Sequence, residues 1–184
     1  MGILQINMKN IIAVIIATII LFSCDSNQNI TSFKIKNPYL SGTKKNIENV
    51  SISIFPGDAG GIEENVNRWR RQLNLPPQNI NLIKKESMNN PLLGEYYLFH
   101  EFNNTENKAI IAAIIPQKNQ TIFIKMNTSF MLSYDRKYEF ILFCQSLYFN
   151  ENNKIVWNAP KNWIEKNPIN MSEAFFEIKN SNEN

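Results

Sequence analysis

Histidine and cysteine are nearly missing from this 184-residue chain, which holds one His, His100, and two Cys, Cys24 and Cys144. A metal centre draws three or four ligands from those residue types or from clustered carboxylates, and no such set is spaced along the sequence. No cofactor motif is present either. Charge of one sign is also short: 19 Lys and Arg against 16 Asp and Glu leave a net charge of +3, with no basic stripe and no arginine cluster beyond Arg70 and Arg71. Nucleic-acid binding is not expected from that balance. Neither paired catalytic carboxylates nor a Ser-His-Asp set can be assembled from motifs. What is there suits one globular domain with a real core, at 43% hydrophobic and 19% charged residues.

One long apolar run exists, and it lies at the N-terminus. After Met8 and Lys9, "IIAVIIATIILF" spans Ile11 to Phe22, the length of a signal-peptide core and short for a bilayer span. It leads into "LFSC", Leu21 to Cys24, which resembles the lipobox of bacterial lipoproteins, with Phe22 where a smaller residue is usual. The resemblance implies acylation of Cys24 as the first residue of the mature chain. It also implies a membrane-anchored lipoprotein of the bacterial cell envelope, held to the membrane by lipid, with its domain outside the cytoplasm and an envelope protein as candidate partner. Cys144 is then left without a disulfide partner. It sits in "YEFILFCQSLYF" with Phe140, Phe143 and Leu147 at helical spacing, so a buried apolar role is expected over a Cys144–His100 nucleophile pair.

The expected organisation is a signal peptide over 1–23, a tether over 24–29, an α+β domain over 30–149 and an extension over 150–184. Alternation predicts strands at 30–37 and 49–55. Ile62, Val66, Trp69 and Leu73 form one helical stripe, which Pro76 and Pro77 end. Strand-like runs follow at 80–87, 94–102, 108–116 and 120–126, with short links that imply antiparallel neighbours. A second helix is predicted over 129–149, giving an antiparallel sheet covered by two main helices. The tail repeats part of the first strand, Phe176, Ile178, Lys179 and Asn180 matching Phe33, Ile35, Lys36 and Asn37. It reads either as a truncated second copy of the domain or as a strand added to the same sheet.

"FPGDAGGIEENVNRWRRQLNLPP", followed by "AIIAAIIPQKNQTIFIKM" and "RKYEFILFCQSLYF", resembles a group of bacterial envelope proteins, often lipoproteins, that carry an FPGDAGG and NVNRWR signature. The pattern is similar to a PsbP-like α/β/α sandwich, which implies an accessory or binding role in place of catalysis. In that group a W-x-x-P-x-x-W stretch and a Met-x-x-Ala-x-Phe strand precede the loop. Here they follow the domain, as "VWNAPKNW" and "MSEAFFEI".

The glycine loop opening a helix raises the question of a bound phosphate. The Lys-Ser/Thr end of a P-loop is absent, and Asp58, Glu63 and Glu64 already supply negative charge at that helix end. A tight turn with glycines at positive φ, Asp58 capping loop or helix, is the competing expectation. Asp58, Asn67, Arg70 and Arg71 remain as candidate binding residues, because an Arg fork suits planar acceptors. The alternative to a binding module is a small hydrolase or transferase using Asp58 with Arg70 or His100 beside Gly57–Gly61.

Overall fold

The computed structural model describes residues 48–179. The expected signal peptide, lipidation site Cys24, tether and first strand lie outside the described residues. Within them the elements are β1 (Asn49–Pro56), α1 (Gly61–Gln72), β2 (Glu86–Asn90), β3 (Gly94–Asn103), β4 (Lys108–Pro116), β5 (Gln120–Thr128), α2 (Phe130–Ser146), β6 (Tyr148–Phe149), β7 (Ile155–Val156), β8 (Trp163–Lys166) and β9 (Ala174–Ile178). Seven strands form one sheet in the order β2-β3-β4-β5-β1-β9-β8, every neighbouring pair antiparallel. β6 and β7 make a separate two-stranded ribbon. The fold is α+β, a large antiparallel sheet with two helices.

Central strand β4 explains the layering. Every residue from Ala109 to Ile115 is buried, which requires cover on both faces. Ile111, Ala113 and Ile115 join Phe140, Phe143 and Cys144 of α2 and Leu147 just past its end. Ile110, Ala112 and Ile114 meet Val66, Trp69 and Leu73 of α1. Each such aliphatic side chain contributes roughly 1.5–3 kcal/mol when fully buried.

The tail supplies the far edge of this sheet. β9 lies against β1 with Val50 opposite Phe176, and Trp163 on β8 sits 4.7 Å from the Phe143 ring. Trp163 and Phe176 are therefore part of the core under α2, and the sheet continues across the expected boundary at 149/150.

Two elements differ from expectation. The strand predicted over 80–87 begins only at Glu86, because Asn79 folds the preceding chain into a turn: its side chain accepts from Asn81 N (3.0 Å) and its carbonyl from Leu82 N (2.9 Å). The helix predicted over 129–149 ends at Ser146. Buried Asn90 donates to the carbonyls of Cys144 (2.7 Å) and Leu147 (3.0 Å), satisfying groups that a further turn would have used. Ser129 caps the other end through Leu132 N at 3.3 Å.

Candidate functional site

Past Pro56 the backbone turns through left-handed conformations at Gly57 (φ 61°), Ala59 (50°), Gly60 (88°) and Gly61 (74°). Three glycines in four such positions keep the strain low. The loop is tied down at its base, Gly57 N donating to Asn119 O (2.9 Å) and Thr121 Oγ1 to Gly57 O (2.6 Å). Asp58 caps the loop and not the helix: its carboxylate accepts from Gly60 N (3.2 Å), its carbonyl from Gly61 N (3.0 Å). Gly60 is the helix N-cap, without a side-chain bond. Glu63 and Glu64 occupy the first turn, where they complement the helix dipole in place of a bound anion.

The polar residues of the "NVNRWR" stretch turn back onto the chain beside them. Asn65 Nδ2 donates to Ala59 O (2.9 Å) and Gly61 O (2.6 Å). Asn67 clamps Gln78, donating to its carbonyl (2.9 Å) and accepting from its amide (2.7 Å). Arg70, a candidate binding residue, is buried. Its Nε donates to Pro76 O (2.8 Å) and its Nη1 is paired with Glu101. Burial pushes the Glu101 carboxyl above its ordinary range, against the opposing pull of Arg70. Arg71 stays in solvent, 3.0 Å from Glu64, an exposed pair worth at most about 1 kcal/mol. Of the four candidates, Asn67 and Arg70 are thus buried and spent on holding α1, while exposed Asp58 is spent on the turn and exposed Arg71 on Glu64. Asn65, which sequence reasoning passed over, does as much as Asn67.

The sheet separates the residues that catalysis would need together. Glu101 faces α1, whereas its neighbour His100 faces α2, where the ring Nε2 lies 2.9 Å from Ser133 Oγ. Ser133 Oγ itself donates to Phe130 O (2.9 Å), which leaves its oxygen to accept from His100. Register across β3, β4, β5 and β1 aligns His100 with Val50, about 20 Å along β1 from Pro56 and the Asp58 loop. Arg70 lies across the sheet from His100. Cys144 is fully buried in apolar surroundings that push its thiol well above the ordinary range, the inert form of a cysteine. It also stands eleven residues, about 16 Å, along α2 from Ser133 and hence from His100.

An open surface of a different kind lies where β1 meets the loop. A cleft of about 620 Å³ is bounded by Ile54 and Pro56, by the β4–β5 turn at Asn119 and Gln120, and by the β6–β7 ribbon. Phe149, Ile155 and Trp157 form its apolar wall, and Asn153, Lys154 and Glu173 its rim. The ribbon turn is braced by Asn150, whose Oδ1 accepts from Asn152 N and Lys154 N, each at 3.0 Å. Trp157 is held edge-on to Phe176 at 5.8 Å and remains half-buried while Trp69 and Trp163 are enclosed. A wall of this type with a few polar groups converging on it is the usual form of a small-ligand site. Among the described residues no group of three or more His, Cys, Asp or Glu is placed to hold a metal ion, and no helix is long and apolar enough to cross a membrane. Compared with family models, curated proteins and solved structures, the chain matches none.

Proposed function

We propose that this protein is a lipid-anchored binding module of the bacterial cell envelope, built on a PsbP-like sandwich, that holds a ligand in the cleft walled by Trp157. The sandwich reading draws on a sheet with one helix on each face, and the anchor reading on the "LFSC" sequence at Cys24. The cleft carries the proposal. Its rim has three amides, Asn119, Gln120 and Asn153, with one cation and one anion, Lys154 and Glu173, so it offers no net charge to the ligand. Its wall offers an indole. A ligand that is uncharged, with one apolar face and an edge of hydroxyl or amide groups, fits both; a saccharide has that character. The surrounding groups are poorly suited to catalysis: Cys144 is enclosed and Asp58 is engaged in the turn.

Fatty-acid labelling tests the anchor: label is expected on the wild-type chain and lost in Cys24→Ser, and label that survives the substitution contradicts it. For the cleft, soluble N-acetylglucosamine oligosaccharides, which are uncharged, serve as the probe. Trp157→Ala is expected to weaken their binding at least tenfold with the fold retained; equal binding by both proteins would remove the cleft from the proposal.

A further inference from the structure

We infer that the α1 face of the sheet binds a phosphate group, in a groove where Lys125 and Arg68 supply the charge and Ser51 and Ser53 the neutral donors. Val50, Ile52 and Ile54 of β1, with Ile124 and Met126 of β5, join the core under α2. Alternation therefore turns Ser51, Ser53 and Lys125 to the α1 face. α1 packs over β3, β4 and β5 and leaves both serines only part-buried at its flank. Ser51 stands directly opposite Lys125 in the β1–β5 ladder, where facing Cβ atoms are about 5 Å apart. Ser53 follows on the same face, about 7 Å along β1. Across the groove, α1 carries Arg68 and Gln72 one turn apart. Gln72 Oε1 accepts from Lys125 Nζ at 3.1 Å, which draws the ammonium to the flank that bears Arg68.

Positive charge in this groove has no counter-charge. Arg70, Lys108, Arg136 and Lys137, the other buried or part-buried cations among the described residues, each hold a carboxylate. Lys125 does not: its partner is the Gln72 amide, and Arg68 reaches only the side-chain oxygen of Asn65. Nearby carboxylates are engaged elsewhere, Glu64 with Arg71 (3.0 Å) and Glu177 with Lys166 (3.3 Å), while Glu173 borders the Trp157 cleft. Burial first, and then the Arg68 charge, lowers the Lys125 pKa, as happens where no acid offsets a like charge. The hydroxyls of Ser51 and Ser53 make no hydrogen bond with the described residues. A part-buried cation is costly unless an anion meets it. A carboxylate has two acceptor oxygens in one plane. The tetrahedral oxygens of a phosphate reach the Lys125 and Ser51 floor and the Arg68 wall together, through charge-assisted bonds.

Isothermal titration of the full-length chain in non-ionic detergent, at constant ionic strength, tests the groove with two probes. One is inorganic phosphate; the other is glycerophosphoglycerol, the soluble diester of a phospholipid headgroup. Wild type is expected to bind, inorganic phosphate alone assigning a free phosphate as the ligand and the diester assigning a headgroup. Lys125→Met, which keeps the aliphatic stem, and Arg68→Gln are each expected to weaken binding about tenfold. Arg71→Gln, on the same helix, should leave it unchanged. Lys125→Met should also raise the melting temperature of the ligand-free protein and abolish the further rise that the bound probe gives wild type. Melting curves verify that each variant folds. Binding of neither probe by folded wild type, binding unchanged in Lys125→Met, or an equal loss in Arg71→Gln overturns the inference.

Discussion

The two helices on opposite faces of the sheet use their polar residues in contrary ways. On α1 the inward side carries Asn65, Asn67 and Arg70 among Val66 and Trp69, and each polar group is bonded to a neighbouring loop or strand. Its outward side holds Glu63, Glu64 and Arg71, which water satisfies. On α2 the inward side carries Phe140, Phe143 and Cys144 together with Ser133, and the outward side sets Met131, Tyr134, Tyr138 and Leu142 beside exposed Asp135. The comparison teaches that α1 satisfies its own polar groups, and that the Trp157 cleft opens on the α2 side of the sheet.

Four substitutions would break or sharpen that contrast. The largest effect is expected from Glu101→Gln, which leaves the Arg70 guanidinium buried beside an uncharged partner; denaturant unfolding should show a loss of about 3 kcal/mol. The equivalent change on the other face, Glu86→Gln opposite Lys137, removes a more exposed pair and should cost under about 1 kcal/mol. If the two changes cost the same, α1 is not held in the way described.

Asn67→Ala comes next. It removes both bonds to Gln78 and leaves that peptide's groups short of partners, so a loss of about 1–2 kcal/mol is expected in the same measurement. The smallest effect concerns His100, whose pKa is lowered chiefly by burial and secondly by Lys137, with Glu86 opposing. The folded state thus favours the neutral ring. Its contribution is complete above the ordinary histidine range near pH 6.5 and is lost as pH falls below it. Unfolding followed from pH 7.5 to pH 5 should therefore show a steeper decline for wild type than for His100→Gln, the excess staying below about 1.4 kcal/mol per pH unit. Parallel declines would place His100 in a more solvated setting.

Local pattern was enough for β3, β4 and β5, because alternation and turn residues are consequences of neighbouring positions. It was enough for the stripe Val66, Trp69 and Leu73 too. Arg70 escaped it, since a helical stripe assumes that the buried surface is apolar, yet Glu101 lies on the same face of β3 as Tyr97 and Phe99. That alternation was the available signal for a buried partner. Asn65 and Asn90 bond to backbone carbonyls, which no side-chain motif encodes. The cleft draws on residues 54–56, 119–120, 149–157 and 173, and only the folded sheet brings those segments together. Trp157 was visible only as part of the W-x-x-P-x-x-W stretch, and its place in the cleft against Ile54 and Pro56 depends on β9 pairing with β1.

The most direct test of the division between a self-sufficient α1 and an open cleft is acrylamide quenching of tryptophan fluorescence with and without soluble N-acetylglucosamine oligosaccharides. With Trp69 and Trp163 enclosed, quenching reports mainly on Trp157. Saccharide is expected to protect wild type and Arg71→Ala alike, and to leave Trp157→Phe unchanged. Protection that vanishes in Arg71→Ala, or persists in Trp157→Phe, would place the ligand on α1 and contradict the account.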